Sequence, residues 1–287
     1  MKIAVVTDSN SCITQQEAKR LGVYVVPMPF MIDEKEYYED INLSQEEFYE
    51  MINAGAEVVT SQPSPQTVLD LWDELLKEYE QVIYIPMSSG LSGSCQTAMM
   101  LAEDYDNKIF VVNNQRICPT LKDSVVDALE LIKKGYDGSQ IKDILEEHKF
   151  DSSIYITVGT LEYLRKGGRI TPAVAAIGNL LRIKPILSIQ GEKLDAFATA
   201  RTINHSKATM MNQIKKDIDS RIGCDSYEDM NIAVAYSADR EPAEEFAKEV
   251  KELFPNNDIF ICPLSLSVAC HIGPSSLAIA VSKKIKV

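Results

Sequence analysis

The chain is short of histidine, with three, and its six cysteines (Cys12, Cys95, Cys118, Cys224, Cys262, Cys270) include no CxxC pair. A zinc site would have few ligands to draw on, and reduced thiols are the simpler expectation. Positive charge is also scarce: 29 Lys and Arg stand against 42 Asp and Glu, a formal net charge of −13. That balance argues against nucleic acid, whose phosphates call for a basic face, and against electrostatic attraction to an anionic membrane. No apolar run approaches the roughly 18 residues of a membrane span, so no stable membrane insertion is expected. The opening Met1-Lys2-Ile3-Ala4-Val5-Val6 meets Asp8 too soon to serve as a signal peptide. There is no G-x-x-x-x-G-K-[ST] phosphate loop, no internal repeat and no low-complexity segment. A cytoplasmic protein with no metal and no cofactor of its own is the expectation.

What is there reads as α/β. With about 100–200 residues per domain as the usual scale, 287 residues make one large or two ordinary domains, and the texture favours two. Through residues 1–158, apolar runs at 2–6, 23–32, 81–86, 108–112 and 153–158 alternate with helical segments at 15–21, 44–52, 65–79, 93–104, 121–134 and 139–148. Such alternation predicts a mostly parallel sheet covered by helices on both faces. Residues 159–287 turn to an α+β pattern. They offer a short helix broken by Gly167-Gly168, a small-residue helix at 171–181, and a hairpin about Gln190-Gly191-Glu192. Helices at 204–218 and 242–253 and strands at 232–237 and 259–263 follow, and a strand at 277–281 would close the sheet. Residues 33–40 read as an acidic surface turn or loop.

Two hydroxyl-rich segments, Thr60-Ser61-Gln62-Pro63-Ser64 and Ser88-Ser89-Gly90-Leu91-Ser92-Gly93-Ser94, each precede a predicted helix. The unpaired N–H groups of a helix start carry partial positive charge, and serine and threonine add neutral donors, so the pattern suits a carboxylate or a phosphate. Neither segment contains a charged residue, which fits one negative charge better than a polyphosphate with its metal. Asp8-Ser9 and both segments fall where strands of an α/β sheet end, the side on which ligands bind. Thr60, Ser61, Ser92 and Gly93 are the candidates there.

Gly90-Leu91-Ser92-Gly93-Ser94 comes close to the G-x-S-x-G nucleophile elbow, failing at the last glycine. With His271 late in the chain, a serine esterase or thioesterase using Ser92 and His271 is an alternative. Against it, an elbow isolates one serine, whereas this run offers four hydroxyls and two glycines, the composition of an anion nest. His271-Ile272-Gly273-Pro274 sets an imidazole before a defined turn. Of the cations around Gly167-Gly168, Arg169 is the one suited to organising a carboxylate site, through its planar fork.

Together these motifs resemble the bacterial DegV family, which includes the fatty-acid-binding subunit of fatty acid kinase. The resemblance runs the length of the chain. It rests on Thr7-Asp8-Ser9, the two hydroxyl-rich segments, Leu161-Glu162-Tyr163-Leu164-Arg165-Lys166-Gly167-Gly168-Arg169-Ile170, Lys184-Pro185-Ile186-Leu187 and His271-Ile272-Gly273-Pro274. It implies an α/β domain and an α+β domain with one long-chain fatty acid between them, and a separate ATP-dependent fatty acid kinase as partner. By motif position, Thr60 and Ser92 would hold the carboxylate, His271 and Arg169 would complete the polar network, and Arg201 would stand near the mouth or touch the partner. One departure is visible, since the family usually has glycine where Ser275 stands. Burying a methylene is worth about 0.8 kcal/mol, so a chain of about C16–C18 gains on the order of 10 kcal/mol gross, against roughly 1.5–3 for a hydrogen bond to the charged head. Residues 172–181 are the candidates for the tunnel wall. A lipid carrier or sensor working without a kinase is a further alternative.

Overall fold

The run Ile-Ala-Val-Val-Thr-Asp forms the strand Ile3–Asp8, buried along its whole length, as a continuous apolar strand is when helices cover both sheet faces. In the computed structural model, which describes residues 1–176 and 183–286, this strand lies between Tyr24–Val26 and Gln81–Ile85. Ile109–Val111 lies beyond, and all three pairings are parallel. Chain order therefore reverses at Ile3–Asp8. The crevice between its carboxyl end and that of Gln81–Ile85 is where a doubly wound sheet offers a site. Asp8 ties the two ends together: its buried carboxylate accepts the N–H of Met87 at 2.8 Å and of Asn10 at 2.9 Å, and burial raises its pKa to about 6.

Helices begin where side chains can satisfy their first N–H groups. Ser44 with Glu47 and Asp137 with Gln140 form reciprocal capping boxes, Ser64 caps Pro65–Leu75, and Thr202 caps Ile203–Lys216.

A six-stranded mixed sheet runs Leu194–Ala200, Lys184–Ile189, Ser152–Thr157, Leu277–Lys283, Met230–Tyr236, Ile259–Pro263, antiparallel except for its last pair. Two sequence expectations change here. Ser152–Thr157, read with the parallel strands of residues 1–158, pairs antiparallel with Lys184–Ile189 and Leu277–Lys283, so the sheet boundary falls before Ser152. The final strand does not close an edge but is inserted between Ser152–Thr157 and Met230–Tyr236. An all-apolar run suits either sheet, because both are covered on two faces, and its partners lie far away in sequence. The predicted hairpin about Gln190-Gly191-Glu192 is present.

A third, small sheet joins Lys35–Tyr37, Phe30–Ile32 and Val58–Thr60. Residues 33–40, expected as a loop, thus contain a strand. Its hairpin turn is Asp33-Glu34, with φ of 46° and 66°, the positive pair that a tight two-residue turn demands. Pro172–Ala176 is helical, and the rest of the small-residue helix expected at 171–181, from 177 on, lies outside the described residues.

Period-two alternation gives the mixed sheet two different faces. Tyr155, Ile186, Val234, Ile279 and Val281 pack into one core with Met210 and Ile214 of Ile203–Lys216 and Phe246 and Val250 of Glu241–Leu253. Ile154, Ile156, Leu187 and the alanines Ala233, Ala235, Ala278 and Ala280 belong to the core shared with the parallel-sheet half. Ala233 pairs with Ala280 and Ala235 with Ala278 across neighbouring strands, so four methyl groups form one shallow patch.

The hairpin tip closes over the serine-rich loop. Ser88 Oγ donates to the Glu192 carbonyl at 2.9 Å, and a Cβ on Gly90 would stand 2.2 Å from Glu192 Cγ and 2.3 Å from its carbonyl oxygen. Only glycine permits that approach. Gly90→Ala is expected to lower the unfolding free energy by about 1–3 kcal/mol, the usual cost of forced overpacking, as read by urea titration; an unchanged midpoint would show that the hairpin tip yields freely.

Candidate ligand-binding site

Between the alanine face of the mixed sheet and the carboxyl ends of the parallel strands lies a cavity of about 230 Å³. That far exceeds the roughly 10–15 Å³ one water needs. Ala235, Ala278 and Ala280 line it on the mixed-sheet side together with Ile154, Ile156 and Leu194, and Met28, Met87 and Ile117 line it from the other. Where isoleucine or leucine would fill the space, alanine leaves it open. Its polar lining includes Thr60, Ser61, Gln62, Ser92, Arg169 and His271, with Gly93 beside them.

Each polar residue is delivered by a different element. Thr60 ends Val58–Thr60, a strand of the small sheet rather than of the parallel sheet. Ser92 sits in the turn that follows Gln81–Ile85, where its Oγ accepts the N–H of Ser94, the first residue of Ser94–Ala102, at 3.2 Å. His271 rides on Leu266–Ile272, whose amino end is held by the buried Glu39 carboxylate through the Leu266 N–H at 2.9 Å. Asn10 adds a second tether, its Oδ1 accepting from Ser265 Oγ at 2.8 Å and from Ser267 Oγ. Burial raises the Glu39 pKa to about 7.

Thr60 Oγ1 and His271 Nε2 are hydrogen-bonded at 2.8 Å, while the buried Nδ1 has no partner among the described residues. Gly167 explains the exclusion on that side: a Cβ there would stand 2.0 Å from Nδ1, so the backbone itself packs on the ring. Burial, with a smaller contribution from the Arg169 charge, lowers the His271 pKa to about 4. The imidazole is neutral at physiological pH. Arg169 Nη1 donates to the Gly167 carbonyl at 2.7 Å, which fixes the guanidinium on the same turn. In the turn behind His271, Ser275 adopts φ 62°, the left-handed conformation in which glycine is unstrained.

Of the residues singled out from sequence, Thr60, Ser61, Ser92, Gly93, Arg169 and His271 come together on this cavity. Arg201 does not; it is exposed between Leu194–Ala200 and Ile203–Lys216 and is absent from the cavity lining. None of residues 172–176 lines the cavity either, and 177–181 lie outside the described residues. The alanine patch was overlooked. Its signal is the alternation in Ile232-Ala233-Val234-Ala235 and Leu277-Ala278-Ile279-Ala280, where one strand face is methyl only.

Hydrolytic chemistry is poorly served. A serine triad needs a base bonded to the nucleophile and an acid orienting the base. Here the imidazole is bonded to Thr60, its other nitrogen is unpartnered, and Ser92 shows no positive φ. Among the described residues the arrangement instead offers neutral donors and the Arg169 guanidinium at the end of an apolar cavity.

The model of the DegV family matches residues 2–284. The chain belongs to the DegV family. A DegV domain-containing protein of Staphylococcus aureus is 30% identical over 283 residues, covering 99% of each chain. Among solved structures, a DegV family protein from Thermus thermophilus described as binding fatty acid superposes with a TM-score of 0.89 at 27% identity, over 99% of this chain and 100% of that one. DegV of Bacillus subtilis, described as a fatty acid binding protein, gives 0.87 at 29% over the same shares. Among the described residues of this DegV chain, no helix is long and apolar enough to cross a membrane.

The depressed imidazole pKa has a signed consequence. Between about 6.5 and about 4 the unfolded chain protonates His271 and the folded one does not, so stability falls as pH falls through that window, by up to roughly 3 kcal/mol. His271→Gln should lose this component. Urea unfolding of the ligand-free proteins should show wild type losing more stability than the variant from neutral pH to about 4; parallel profiles would contradict the placement of a neutral buried imidazole.

Proposed function

We propose that the chain binds a single long-chain fatty acid, with its carboxylate among Thr60, Ser61, Ser92, Gly93, Arg169 and His271 and its tail in the apolar cavity. The observation carrying this reading is the pairing of an alanine-floored cavity with a polar end whose only cation among the described residues is Arg169. Both well-matched solved relatives are described as fatty-acid-binding, which supports the same ligand class.

The Thr60 hydroxyl has one proton to give. With the Nε2–H tautomer, His271 donates to Thr60 Oγ1, and that proton is free for a carboxylate oxygen. Ser92 supplies a second hydroxyl, and Arg169 a charge-assisted contact worth about twice a neutral hydrogen bond. Because the imidazole is neutral, the Arg169 guanidinium is the charge that meets the carboxylate among the described residues.

The bound carboxylate is then presented to a separate ATP-dependent fatty acid kinase, which forms the acyl phosphate used in phospholipid synthesis. Supporting this step is the exposure of Ser61, Gly93 and Arg169, which leaves the polar end at the surface while the tail end is enclosed. Phosphoryl transfer needs a nucleotide cradle and magnesium ligands, which the partner would bring.

Native mass spectrometry of the purified protein, followed by organic extraction, should find a retained acid of about C16–C18, the length whose methylenes supply most of the binding energy. Thr60→Ala and Ser92→Ala should each weaken retention roughly tenfold to a hundredfold, as expected for lost bonds to a charged group, and together more than either alone. A double variant that holds its lipid as firmly as wild type would overturn the head-group assignment.

A further inference from the structure

Three distant segments bring Cys12, Cys118 and Cys262 together beside the cavity. The Cys118 N–H donates to the Asn10 carbonyl at 2.7 Å, and Cys12 Sγ lies 3.6 Å from the carbonyl of Pro263, the neighbour of Cys262. The Cys12 side chain interacts with those of both Cys118 and Cys262, while its own S–H donates to the Pro263 carbonyl. Cys118 lines the main cavity, whereas Cys12 lines a smaller one on the far side, with Glu39 and Asp40.

The backbone is unusual at both ends of this pair. Cys12 has φ 57° and ψ 22°, and Cys118 has φ 54° and ψ −134°, a combination that residues with a Cβ seldom hold. Strain of that kind persists only where the surroundings over-determine it, and it clusters at functional positions. Cys118 directly precedes Pro119–Lys133, so its sulfur stands at a helix start with an apolar cavity in front of it and a second thiol behind. A chain whose only purpose was packing would need neither the strain nor the thiol at a cavity wall. Cys95, Cys224 and Cys270 lie outside the group.

We propose that Cys118 and Cys12 form a peroxide-reactive pair, in which Cys118 meets an organic hydroperoxide in the cavity and Cys12 resolves the product as a disulfide. In the first step the Cys118 thiol attacks the terminal peroxide oxygen, the O–O bond breaks, and Cys118–SH with R–OOH gives Cys118–SOH and R–OH. In the second, Cys118–SOH and Cys12–SH give the Cys12–Cys118 disulfide and water. Sulfur loses the two electrons that the peroxide gains. A later dithiol exchange would restore the reduced pair. The organic form of the oxidant rests on the acyl-chain reading of the cavity, and hydrogen peroxide is the same chemistry arriving from solvent.

The burial and hydrogen bonding that hold the Cys12 thiol protonated make resolution the slow step, one that speeds up as pH rises. The experiment uses reduced, lipid-stripped full-length protein treated with linoleic acid hydroperoxide or with hydrogen peroxide, then alkylated and mapped by peptide mass spectrometry. One equivalent of the lipid hydroperoxide should give the Cys12–Cys118 disulfide, and an excess of palmitate should suppress that reaction at least tenfold while leaving the slower hydrogen peroxide reaction unchanged. Cys12→Ser should leave Cys118 as a sulfenic acid trapped by dimedone, and Cys118→Ser should leave Cys12 reduced. The proposal is overturned if Cys118 stays reduced with both oxidants, or if oxidation falls only on the partly exposed Cys224. Native mass spectrometry of palmitate retention by wild type separates the two readings: retained lipid without Cys118 oxidation sinks the thiol pair alone, and absence of palmitate binding sinks the acyl-chain reading.

Discussion

Alanines on two neighbouring strands, three of which line the cavity, decide what this molecule can hold. Ala233, Ala235, Ala278 and Ala280 alternate with Ile232, Val234, Ile279 and Val281, so one sheet face packs densely while the other presents methyl groups. Protein interiors close to the density of organic crystals wherever side chains can reach. Here they cannot, and the sheets enclose about 230 Å³. An apolar void of that kind costs stability unless something occupies it.

The polar end obeys a complementary constraint. A bound carboxylate would need donors, yet buried charge is expensive, and the described residues at this end of the cavity are hydroxyls, a neutral imidazole and the Arg169 guanidinium. His271 is kept neutral by burial and by the backbone of Gly167 against its ring. The same helix is anchored by Glu39 and by Asn10, and Asn10 is tied through Asp8 to the switch point of the parallel sheet. Head site and sheet topology are thus one connected structure.

Much of this was legible in the sequence. Apolar runs alternating with capped helices identify the α/β half, and the two hydroxyl segments and the histidine turn point to residues that do meet on the cavity. What was not legible depends on long-range pairing. Ser152–Thr157 reads like its parallel predecessors but joins the mixed sheet, and the closing strand Leu277–Lys283 is inserted between Ser152–Thr157 and Met230–Tyr236, a position no local pattern gives. The cavity wall was expected in the small residues of 172–181, of which 172–176 do not line it, because local composition cannot say which small residues face an opening. The alternating alanines do say so, once both strands are known to be neighbours.

The central claim is that this alanine floor is the bed of an alkyl chain. Calorimetric titration of lipid-stripped wild type and Ala278→Leu with palmitate tests it most directly, with laurate as the shorter comparison. A leucine entering existing space should cost little stability but displace a few methylenes of the longer acid, on the order of 2 kcal/mol or roughly thirtyfold in affinity, and weaken laurate far less. Equal palmitate affinity in the two proteins would contradict the account.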